Sequence, residues 1–473
     1  MSVETMTRGR RSVSSVPPVL CGARKNNARQ ATTKQRIVIV LDNNASPLMS
    51  STRTRYTLLY FACVLSVITY IDRVCIASSA PAIRGDLGLN AVQMGWIFSA
   101  FTFAYAVFEI PTGWMADVFG PRKTLMRIVL WWSTFTAVSG LAWNFTSLVI
   151  ARFLFGAGEA GAYPSISRSF SRWFPVTERG AAHGAVFMCS RLGAAATPPL
   201  VILIIAAAGW RVSFWIFGSL GVAWSVMWWR WFRDDPAAHP SVGPDELALI
   251  ASGTPTTAHA NVHWRDLLDL NLLYICLMYF CIAYGLYFYL TWLPTYFTEA
   301  RGFTPQQSAW LASAVLFTGA IASIAGGWLT DELTSRYGLK AGRSIAVVAL
   351  PLSAVLIVSA TLSPSPRLAA VLIALAFFCA ELCLSPSWAM CHDIGGEATG
   401  TITGAMNTLG NLGGSLSPLV VGYSVQLWDS WSTPLVIMAC VYLAGATLTL
   451  LVNPRRQMVF RRTQEVPPHV LPG

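Results

Sequence analysis

Charged side chains are scarce in this chain of 473 residues, where they make up 12% of the total and hydrophobic residues make up 54%. In soluble proteins about a quarter of the residues are charged. The shortage argues against a soluble globular protein. It favours a membrane protein, because helix surface that faces lipid has to be apolar.

Several chemical patterns are also missing. The ten cysteines lie mostly inside apolar runs without zinc spacing, and Cys391-His392-Asp393 has no second cluster to complete a metal site. The net charge of +11 comes without a basic stripe interleaved with aromatics, which argues against nucleic-acid binding. No nucleophile with a base, and no set of metal ligands, falls at one membrane depth, so we expect neither an enzyme nor a cofactor.

Apolar runs long enough to cross a bilayer occur twelve times. They cover about 57–80, 92–113, 124–143, 147–167, 181–208, 211–231, 270–297, 307–330, 344–363, 368–389, 398–422 and 432–453. The polar stretch 232–269 divides them into two groups of six. The pattern predicts an all-α membrane protein with twelve transmembrane helices in two six-helix pseudo-symmetric bundles.

The predicted parts of the chain follow from these runs. They are a disordered cytoplasmic tail at 1–52, a first bundle at 53–233, a cytoplasmic linker at 234–269, a second bundle at 270–453 and a cytoplasmic tail at 454–473. A translation start at Met49 is an alternative that removes most of the first tail. Basic residues cluster in the loops on the side of the termini, which predicts that both termini are cytoplasmic.

The two halves repeat each other. Residues 180–198 align without gaps on 400–418, and GWMADVFGPRK at 113–123 has a counterpart in GWLTDELTSRYG at 327–338. Parallel repeats of six helices place a substrate site near the membrane midplane, between the halves. The second match also predicts a conformational gate, in which close helix contact at glycine and an aspartate contact form only when the cytoplasmic face is closed. The predicted gate residues are Gly113, Asp117, Arg122 and Asp331.

The stretch ARFLFGAGEAG at 151–161 contains G-x-G-x-x-G, but it lies in a membrane span rather than after a strand, which argues against a dinucleotide turn. The glycines are better explained by close helix packing. Arg152 and Glu159 are seven residues apart and share one helical face, roughly 10 Å along the axis. Charges at this depth usually mark an ion or substrate path, with a purely structural ion pair as the alternative.

A second cluster, Thr69-Tyr70-Ile71-Asp72-Arg73, lies in the first span. Arg73 stays protonated and can hold a carboxylate through two hydrogen bonds, whereas Asp72 can titrate. Tyr70 and Tyr105 offer hydroxyl donors at positions expected to face the interior. Together the two carboxylates and two arginines predict an anion site that is coupled to protons.

Weaker candidates lie in other spans. Arg191 is either a third cation for the substrate or a partner of Glu159, and Glu109 is expected to contact only the nearby basic loop. Asn407 and Asn411 share one face and offer amide donors. We also expect Glu381 to balance a nearby arginine, and Tyr284 shares a face with Tyr287.

These motifs resemble the major facilitator superfamily and, within it, the anion:cation symporter family. GWMADVFGPRK resembles the superfamily's loop motif between the second and third helices. The symporter family's signatures are matched by YIDRVCIASSAPAI (70–83), RFLFGAGEAGAYPS (152–165), RWFPVTERGAAHG (172–184) and TWLPTYF (291–297). The resemblance covers residues 56 to about 453.

The resemblance implies roles for individual residues. Arg73 would bind the substrate carboxylate, Asp72 and Glu159 would take up the coupled proton, and Arg152 would tune Glu159. The residues implied to line the pocket are Tyr70, Tyr105, Ser190, Trp388 and Asn407. Arg191 and Glu109 depart from the sugar-acid members, and an extra arginine would favour a dianion or an aromatic acid.

The expected function is proton-coupled import of a small organic anion, most simply a hexonate, hexuronate or aldarate, by alternating access across the inner (plasma) membrane. The predicted substrate-binding residues are Tyr70, Arg73, Tyr105, Ser190, Arg191, Tyr284, Trp388, Asn407 and Asn411. The alternatives are symport of an aromatic or dicarboxylic acid and, more distantly, a transporter-like sensor. The predicted partners are the anion, protons and the lipid bilayer, and we expect a monomer without nucleic acid.

Overall fold

Helices make up almost all of the chain that the computed structural model describes, which is residues 52–251, 269–395 and 399–458. The predicted tails beyond these limits, and most of the predicted linker, lie outside the described residues. The helices are α1 Thr54–Leu87, α2 Ala91–Phe119, α3 Pro121–Ser139, α4 Phe145–Glu159, α5 Ala162–Trp173, α6 Val176–Ala208, α7 Trp210–Trp231, α8 Pro244–Ala251, α9 Leu270–Thr291, α10 Leu293–Thr295, α11 Pro305–Tyr337, α12 Leu339–Arg343, α13 Ala346–Leu362, α14 Pro366–Glu381, α15 Leu384–Gly395, α16 Thr399–Trp428 and α17 Ser432–Leu451. A 3₁₀ turn at Pro236–Ala238 and a π-helical turn at Tyr296–Ala300 complete the set.

Nine of the helical segments are long and apolar enough to cross a membrane on their own composition. The other three predicted spans correspond to α3, to α4 with α5, and to α16. α3 carries three basic residues in its first two turns, α4 contains Arg152 and Glu159, and α16 is diluted by glycine, serine and asparagine. Apart from the basic residues of α3, the lower hydropathy therefore comes from residues that pack between helices or build a site.

The packing of the first half is repeated in the second. α1 packs on α6, α3 on α7 and α2 on α4, whereas α9 packs on α16, α13 on α17 and α11 on α14. The halves meet along α2 with α16 and along α6 with α11. Each of these contacts joins the second span of one half to the fifth span of the other, as the internal repeat requires.

Three of the described spans are interrupted, the fourth and the tenth near their middle and the seventh near its far-side end. The fourth breaks between α4 and α5 immediately after Glu159, and the tenth breaks between α14 and α15 immediately after Glu381. The seventh continues past Thr291 through α10 and the π-helical turn. Broken helices at this depth are tolerated where protein or a cavity, rather than lipid, surrounds the backbone. The fourth span of each half thus ends its first helix on a glutamate.

The halves are pressed together at the end of the bundle opposite to Thr54 and Leu451, which we call the far side. A Cβ on Gly95 would lie 2.6 Å from the carbonyl oxygen of Pro418, and a Cβ on Gly422 would lie 2.7 Å from that of Ala91. The Ser99 hydroxyl donates to the Ser415 carbonyl at 2.6 Å. This contact between α2 and α16 is close because two glycines let backbone approach backbone.

A polar contact also joins the halves on the far side. Arg84 near the end of α1 pairs with Glu299 in the π-helical turn at 2.5 Å. The Ser313 hydroxyl of α11 donates to the Ala195 carbonyl of α6 at 2.5 Å. At the other end, which we call the terminal side, a Cβ on Gly180, Gly184, Gly400 or Gly404 would meet open space. The halves are therefore closed against each other on the far side and separated on the terminal side.

The predicted gate residues lie on the terminal side and make contacts within their own half. A Cβ on Gly113 would lie 3.6 Å from the Pro164 side chain of α5. The Arg122 backbone donates to Asp234 at 2.9 Å and its guanidinium donates to the Trp229 carbonyl at 2.6 Å. Asp331 is exposed, and the Asp117 side chain lies outside the described residues. Since this side is open, the gating contact stays a prediction for a conformation closed there.

The short linker helix α8 is fastened to the start of α1. Glu246 is completely buried and accepts from the Thr52 hydroxyl at 2.7 Å, from the backbone nitrogens of Thr54 and Arg55 at 3.0 Å each, and from the Arg55 guanidinium at 3.2 Å. Arg55 also pairs with Glu178 at the start of α6 at 2.9 Å. One carboxylate therefore joins the linker to two spans of the first half.

Candidate substrate site

Charged and polar side chains from both halves meet between the far-side contact and the opening on the terminal side. We call this group the central cluster. Its members are Tyr70, Asp72, Arg73, Tyr105, Glu109, Arg152, Glu159, Arg191, Tyr287, Glu381, Asn407 and Asn411. They lie on α1, α2, α6, α9 and α16 and on the first helices of the broken fourth and tenth spans.

Arg73 of α1 is held by one carboxylate and a set of aromatic rings. Its guanidinium donates through Nε to Glu159 of α4. Its Cζ lies 4.8 Å from the ring centre of Tyr105, 5.2 Å from that of Tyr70 and 5.3 Å from that of Phe101. Cation–π contacts of this kind hold the guanidinium in place without using its hydrogen-bond donors. An incoming carboxylate can therefore replace Glu159 without having to rearrange the arginine.

Asp72 is the neighbour of Arg73 in sequence but points into a different environment. Its side chain is fully buried, and neither carboxylate oxygen has a hydrogen-bond partner among the described residues. Glu159, Arg152 and the Trp132 indole are the polar groups that act on it. An ionised carboxylate without donors is costly to bury, and a proton removes that cost.

Arg152 does not form a hydrogen bond with Glu159. It lies 1% exposed with its Cζ 4.1 Å from the centre of the Phe155 ring, and its Nε and Nη1 have no partner among the described residues. A hydrogen-bonded Arg152–Glu159 pair does not form in this conformation, because Arg73 approaches Glu159 instead. Arg152 acts on Glu159 and Asp72 only through its charge, across a short gap.

Glu109 lies in a different environment from the one that the sequence predicted. It was expected to contact the basic loop, but it is buried and accepts a hydrogen bond from the Asn407 amide of the other half. Asn411 donates to the Asn407 carbonyl at 3.0 Å and accepts from the Tyr287 hydroxyl at 3.1 Å. The expectation failed because α2 runs along α16, a contact between residues about 300 positions apart that hydropathy does not report.

Arg191 of α6 pairs with Glu381 of α14 at 3.0 Å, and both side chains are at least nine-tenths buried. Arg191 was expected either to bind the substrate or to pair with Glu159, and it does not pair with Glu159 in this conformation. The expectation that Glu381 balances a nearby arginine agrees with the geometry. Arg191 lies 5.8 Å from the Tyr70 ring centre, so it faces the same tyrosine as Arg73. Ser323 donates to the same carboxylate oxygen of Glu381, Oε2, at 3.3 Å.

Aromatic residues that sequence reasoning missed form one wall. Ser190 bonds to the Tyr163 hydroxyl at 2.9 Å, and the Tyr163 ring stacks on Phe187. Phe187 reaches Trp388 of the other half, with ring centres 5.5 Å apart. Trp388 in turn donates to the Tyr279 hydroxyl at 3.2 Å. Helical spacing could have found two of them, since Tyr163 follows Glu159 by four residues and Phe187 precedes Arg191 by four.

Tyr284 does not join the central cluster through any contact in the described residues. Its hydroxyl is buried without a hydrogen-bond partner there, whereas Tyr287, three positions later, bonds to Asn411. The predicted binding residue Tyr284 is therefore outside the cluster in this conformation, and Tyr287, which was not predicted to bind, belongs to it. In the described part of the chain, no three metal-binding side chains come together.

The arrangement can hold an anion at two guanidinium groups, donate hydrogen bonds from amides and hydroxyls, and store protons on buried carboxyls. Residues 62–418 match the Major Facilitator Superfamily. This chain is 38% identical over 85% of its length to a probable sulfoacetate transporter of Cupriavidus necator, covering 94% of that protein. It is 31% identical over 80% of its length to a hexuronate transporter of Bacillus subtilis, covering 90% of it. It is 30% identical over 85% of its length to a D-galactonate transporter of Escherichia coli, covering 96% of it.

A solved structure of similar fold is the bacterial homologue of the human lysosomal transporter Spinster in an inward-facing and occupied conformation. It superposes with a TM-score of 0.69 at 17% identity, covering 84% of this chain and 96% of that one. The likeness confirms the predicted fold of twelve transmembrane helices in two six-helix bundles. The relatives are transporters rather than enzymes, as predicted, and their substrates are consistent with the anion:cation symporter family.

Proposed function

The chain belongs to the Major Facilitator Superfamily and is a multi-pass membrane transporter of small organic anions, and from this premise we propose that it imports its anion together with protons by alternating access. The inner membrane of a bacterium is the proposed location. The terminal side is assigned to the cytoplasm, because Arg122, Lys123 and Arg127 and the other clustered basic residues lie in its loops.

The observation that carries the proposal is the Arg73–Glu159 pair beside the unpaired carboxylate of Asp72. A proton on Glu159 weakens its hold on Arg73, which then accepts the substrate carboxylate through two hydrogen bonds. Asp72 lies within range of the same charges and gains from a proton because neither of its oxygens accepts a hydrogen bond from a described residue. Protonation and anion binding are therefore coupled at one arginine.

Release follows from the reverse exchange. On the cytoplasmic side, loss of the protons restores an ionised Glu159, which competes with the substrate for Arg73. The far-side contact through Gly95 and Gly422 excludes the outer solution while the terminal side is open. Rocking of the halves around the site would open the far side and close the terminal side in turn.

The substrate class rests on the groups around the two arginines. Asn407, Asn411 and Tyr287 can bind hydroxyl groups, which supports the predicted hexonate, hexuronate or aldarate. A second candidate is a short anion with two acidic groups. Sulfoacetate, the substrate named for the relative in Cupriavidus necator, is an anion of this kind. Arg191 favours this candidate, because its guanidinium faces the same tyrosine as Arg73.

The test uses purified protein in proteoliposomes with a weakly buffered exterior and clamped voltage. Gluconate, glucuronate, galactarate, malonate and sulfoacetate are added one at a time, while external pH and uptake of labelled anion are recorded. Alkalinisation that accompanies uptake is expected for at least one anion, and it should disappear in Asp72→Asn and Glu159→Gln. Arg456→Gln, which removes an exposed ion pair with Asp269, is the matched control and should behave as wild type.

Uptake of labelled anion without any pH change would sink the proton coupling and leave sodium coupling, exchange or uniport. Proton uptake that survives both substitutions unchanged would show that other carboxyls carry the protons. The Glu159→Gln protein should still exchange labelled anion between equal concentrations on both sides, since exchange does not need net proton release.

A further inference from the structure

We propose that Arg191 and Glu381 form a second anion subsite, and that the substrate carries two acidic groups separated by about one carbon. The inference rests on the proposed transport function and specifies its substrate class. Arg73 would bind one acidic group and Arg191 the other. Glu159 and Glu381 would each occupy the place of one of these groups until the substrate arrives.

The two arginine–carboxylate pairs are built alike. Glu159 is the last residue of α4 and Glu381 is the last residue of α14, so each ends its helix at the break in the fourth span of its half. Each pairs with an arginine of α1 or α6, two helices that pack on each other. Because Arg73–Glu159 is the pair that a substrate carboxylate exchanges, the matching pair offers the same exchange to a second acidic group.

The spacing of the arginines limits the size of the substrate. Their Cζ atoms lie 5.2 Å and 5.8 Å from the centre of the same Tyr70 ring, so they are at most about 11 Å apart. A guanidinium in a bidentate contact holds a carboxylate carbon about 4 Å from its Cζ. For a substrate that lies between the two guanidinium groups, both contacts together leave at most about 3 Å between its acidic groups. The carboxyl carbons of malonate are about 2.5 Å apart, whereas those of an extended six-carbon diacid are about 6 Å apart.

The Glu381 carboxylate can give up Arg191 without being left unpaired. Ser323 already donates to it, and that bond does not involve the arginine. The pair also joins the two halves, since Arg191 is on α6 and Glu381 is on α14. A ligand that replaces Glu381 therefore removes one tie between the halves while it binds, which links recognition of the second acidic group to movement.

The test is equilibrium binding to the purified full chain in detergent, without ion gradients, by calorimetry. The probes are malonate and sulfoacetate, adipate as a longer diacid, and gluconate as an anion with one acidic group. Wild type is expected to bind malonate or sulfoacetate at least about 10-fold more tightly than adipate. Arg191→Gln should weaken binding of the two short dianions by about 10- to 100-fold, the effect of losing a charged hydrogen-bond partner, and binding of gluconate by less than about 3-fold.

Two further variants separate recognition from structure. Glu381→Gln removes the competing carboxylate and should tighten binding of the short dianions while leaving gluconate within about 3-fold. Arg84→Gln breaks a second ion pair between the halves, on the far side, and should leave the preference among the four probes unchanged. Equal weakening of all probes by Arg191→Gln would assign the pair a structural role and overturn the proposal.

Wild type that binds adipate as well as malonate, or that binds neither short dianion, would also overturn it. These outcomes are distinct from failure of the proposed function, because calorimetry without gradients does not depend on proton coupling. Short dianions that bind as expected but enter proteoliposomes without protons would keep the second subsite and remove the symport.

Discussion

Gly95→Ala should shift the protein away from the conformation described here. The added methyl group would lie 2.6 Å from the Pro418 carbonyl oxygen and 3.3 Å from its carbonyl carbon, both backbone atoms of α16 that no rotamer change can move. Overpacking of this kind costs about 1–3 kcal/mol. The clash exists only while α2 and α16 are closed on the far side, so the cost falls on one state and changes its population by about 5- to 150-fold. The gain in helix propensity is the same in both states and cancels.

Hydrogen–deuterium exchange measured by mass spectrometry on the detergent-solubilised protein checks this shift. Exchange should rise in the far-side segments of α2 and α16 and fall in the terminal-side segments around Gly180 and Gly400. Gly85→Ala is the matched control, because Gly85 lies near the far-side end of α1 and a Cβ there meets nothing within 4 Å. An exchange pattern for Gly95→Ala that matches wild type at both ends would refute the reasoning, and faster exchange everywhere would show global destabilisation instead.

Three further predictions concern single side chains. Arg73→Lys should weaken gluconate binding by about 10- to 100-fold in calorimetry, because an ammonium cannot make the bidentate contact that replaces Glu159. Asn407→Leu should lower the free energy of unfolding by about 1–3 kcal/mol by leaving the buried Glu109 carboxylate without its donor, and adding Glu109→Leu should recover most of it. Burial alone would raise the pKa of Glu246, but hydrogen bonds from backbone nitrogens, a hydroxyl and a guanidinium hold its pKa below the ordinary value of 4.5. Glu246→Gln should therefore reduce the free energy of unfolding at neutral pH, and this deficit should shrink as the pH falls below about 4.5.

The controls differ for each of these predictions. Equal gluconate affinity in Arg73→Lys would mean that a single charged contact suffices at this position. For Asn407, a double variant no more stable than the single one would show that the loss arises from packing rather than from the unpaired carboxylate. For Glu246, thermal unfolding of wild type and variant is compared from pH 7 to pH 3. The sign follows from linkage, since a carboxyl with a lowered pKa stabilises the fold above its unfolded pKa and loses that contribution as it is protonated. A deficit that is constant across this range would contradict the assignment.

The positions of the helices could be predicted from sequence because hydropathy is a local property. Each of the twelve predicted runs is helical for most of its length, although the runs at 124–143, 344–363 and 432–453 extend past the ends of α3, α13 and α17. The breaks at Glu159 and Glu381 were not predicted. Each glutamate is followed five residues later by a proline, Pro164 or Pro386, which cannot donate a hydrogen bond to the carbonyl four residues before it and crowds that carbonyl. The interruptions therefore have a local contribution that hydropathy does not report.

The central cluster could be predicted in its members but only partly in its contacts. Buried charge in an apolar run identified Asp72, Arg73 and Glu159, since such residues are too costly to keep without a role. Which charged residues pair with each other could not be predicted from the sequence. Arg191, for example, pairs with Glu381, which lies 190 positions away in the other half of the chain. Periodicity shows which residues share a face of a helix, whereas it does not show which helix lies opposite that face.

The two arginine–carboxylate pairs also bear on how membrane voltage acts on the transport cycle. While Arg73 and Arg191 are each neutralised by a glutamate, these pairs carry no net charge through the electric field when the halves rock. Voltage then acts on the cargo, at about 2.3 kcal/mol per elementary charge for each 100 mV. A dianion that enters with one proton each on Asp72 and Glu159 moves no net charge, so its accumulation would follow the pH gradient alone. A monoanion that enters with the same two protons moves one positive charge inward and would be driven by voltage as well, so current recordings can tell the two kinds of cargo apart.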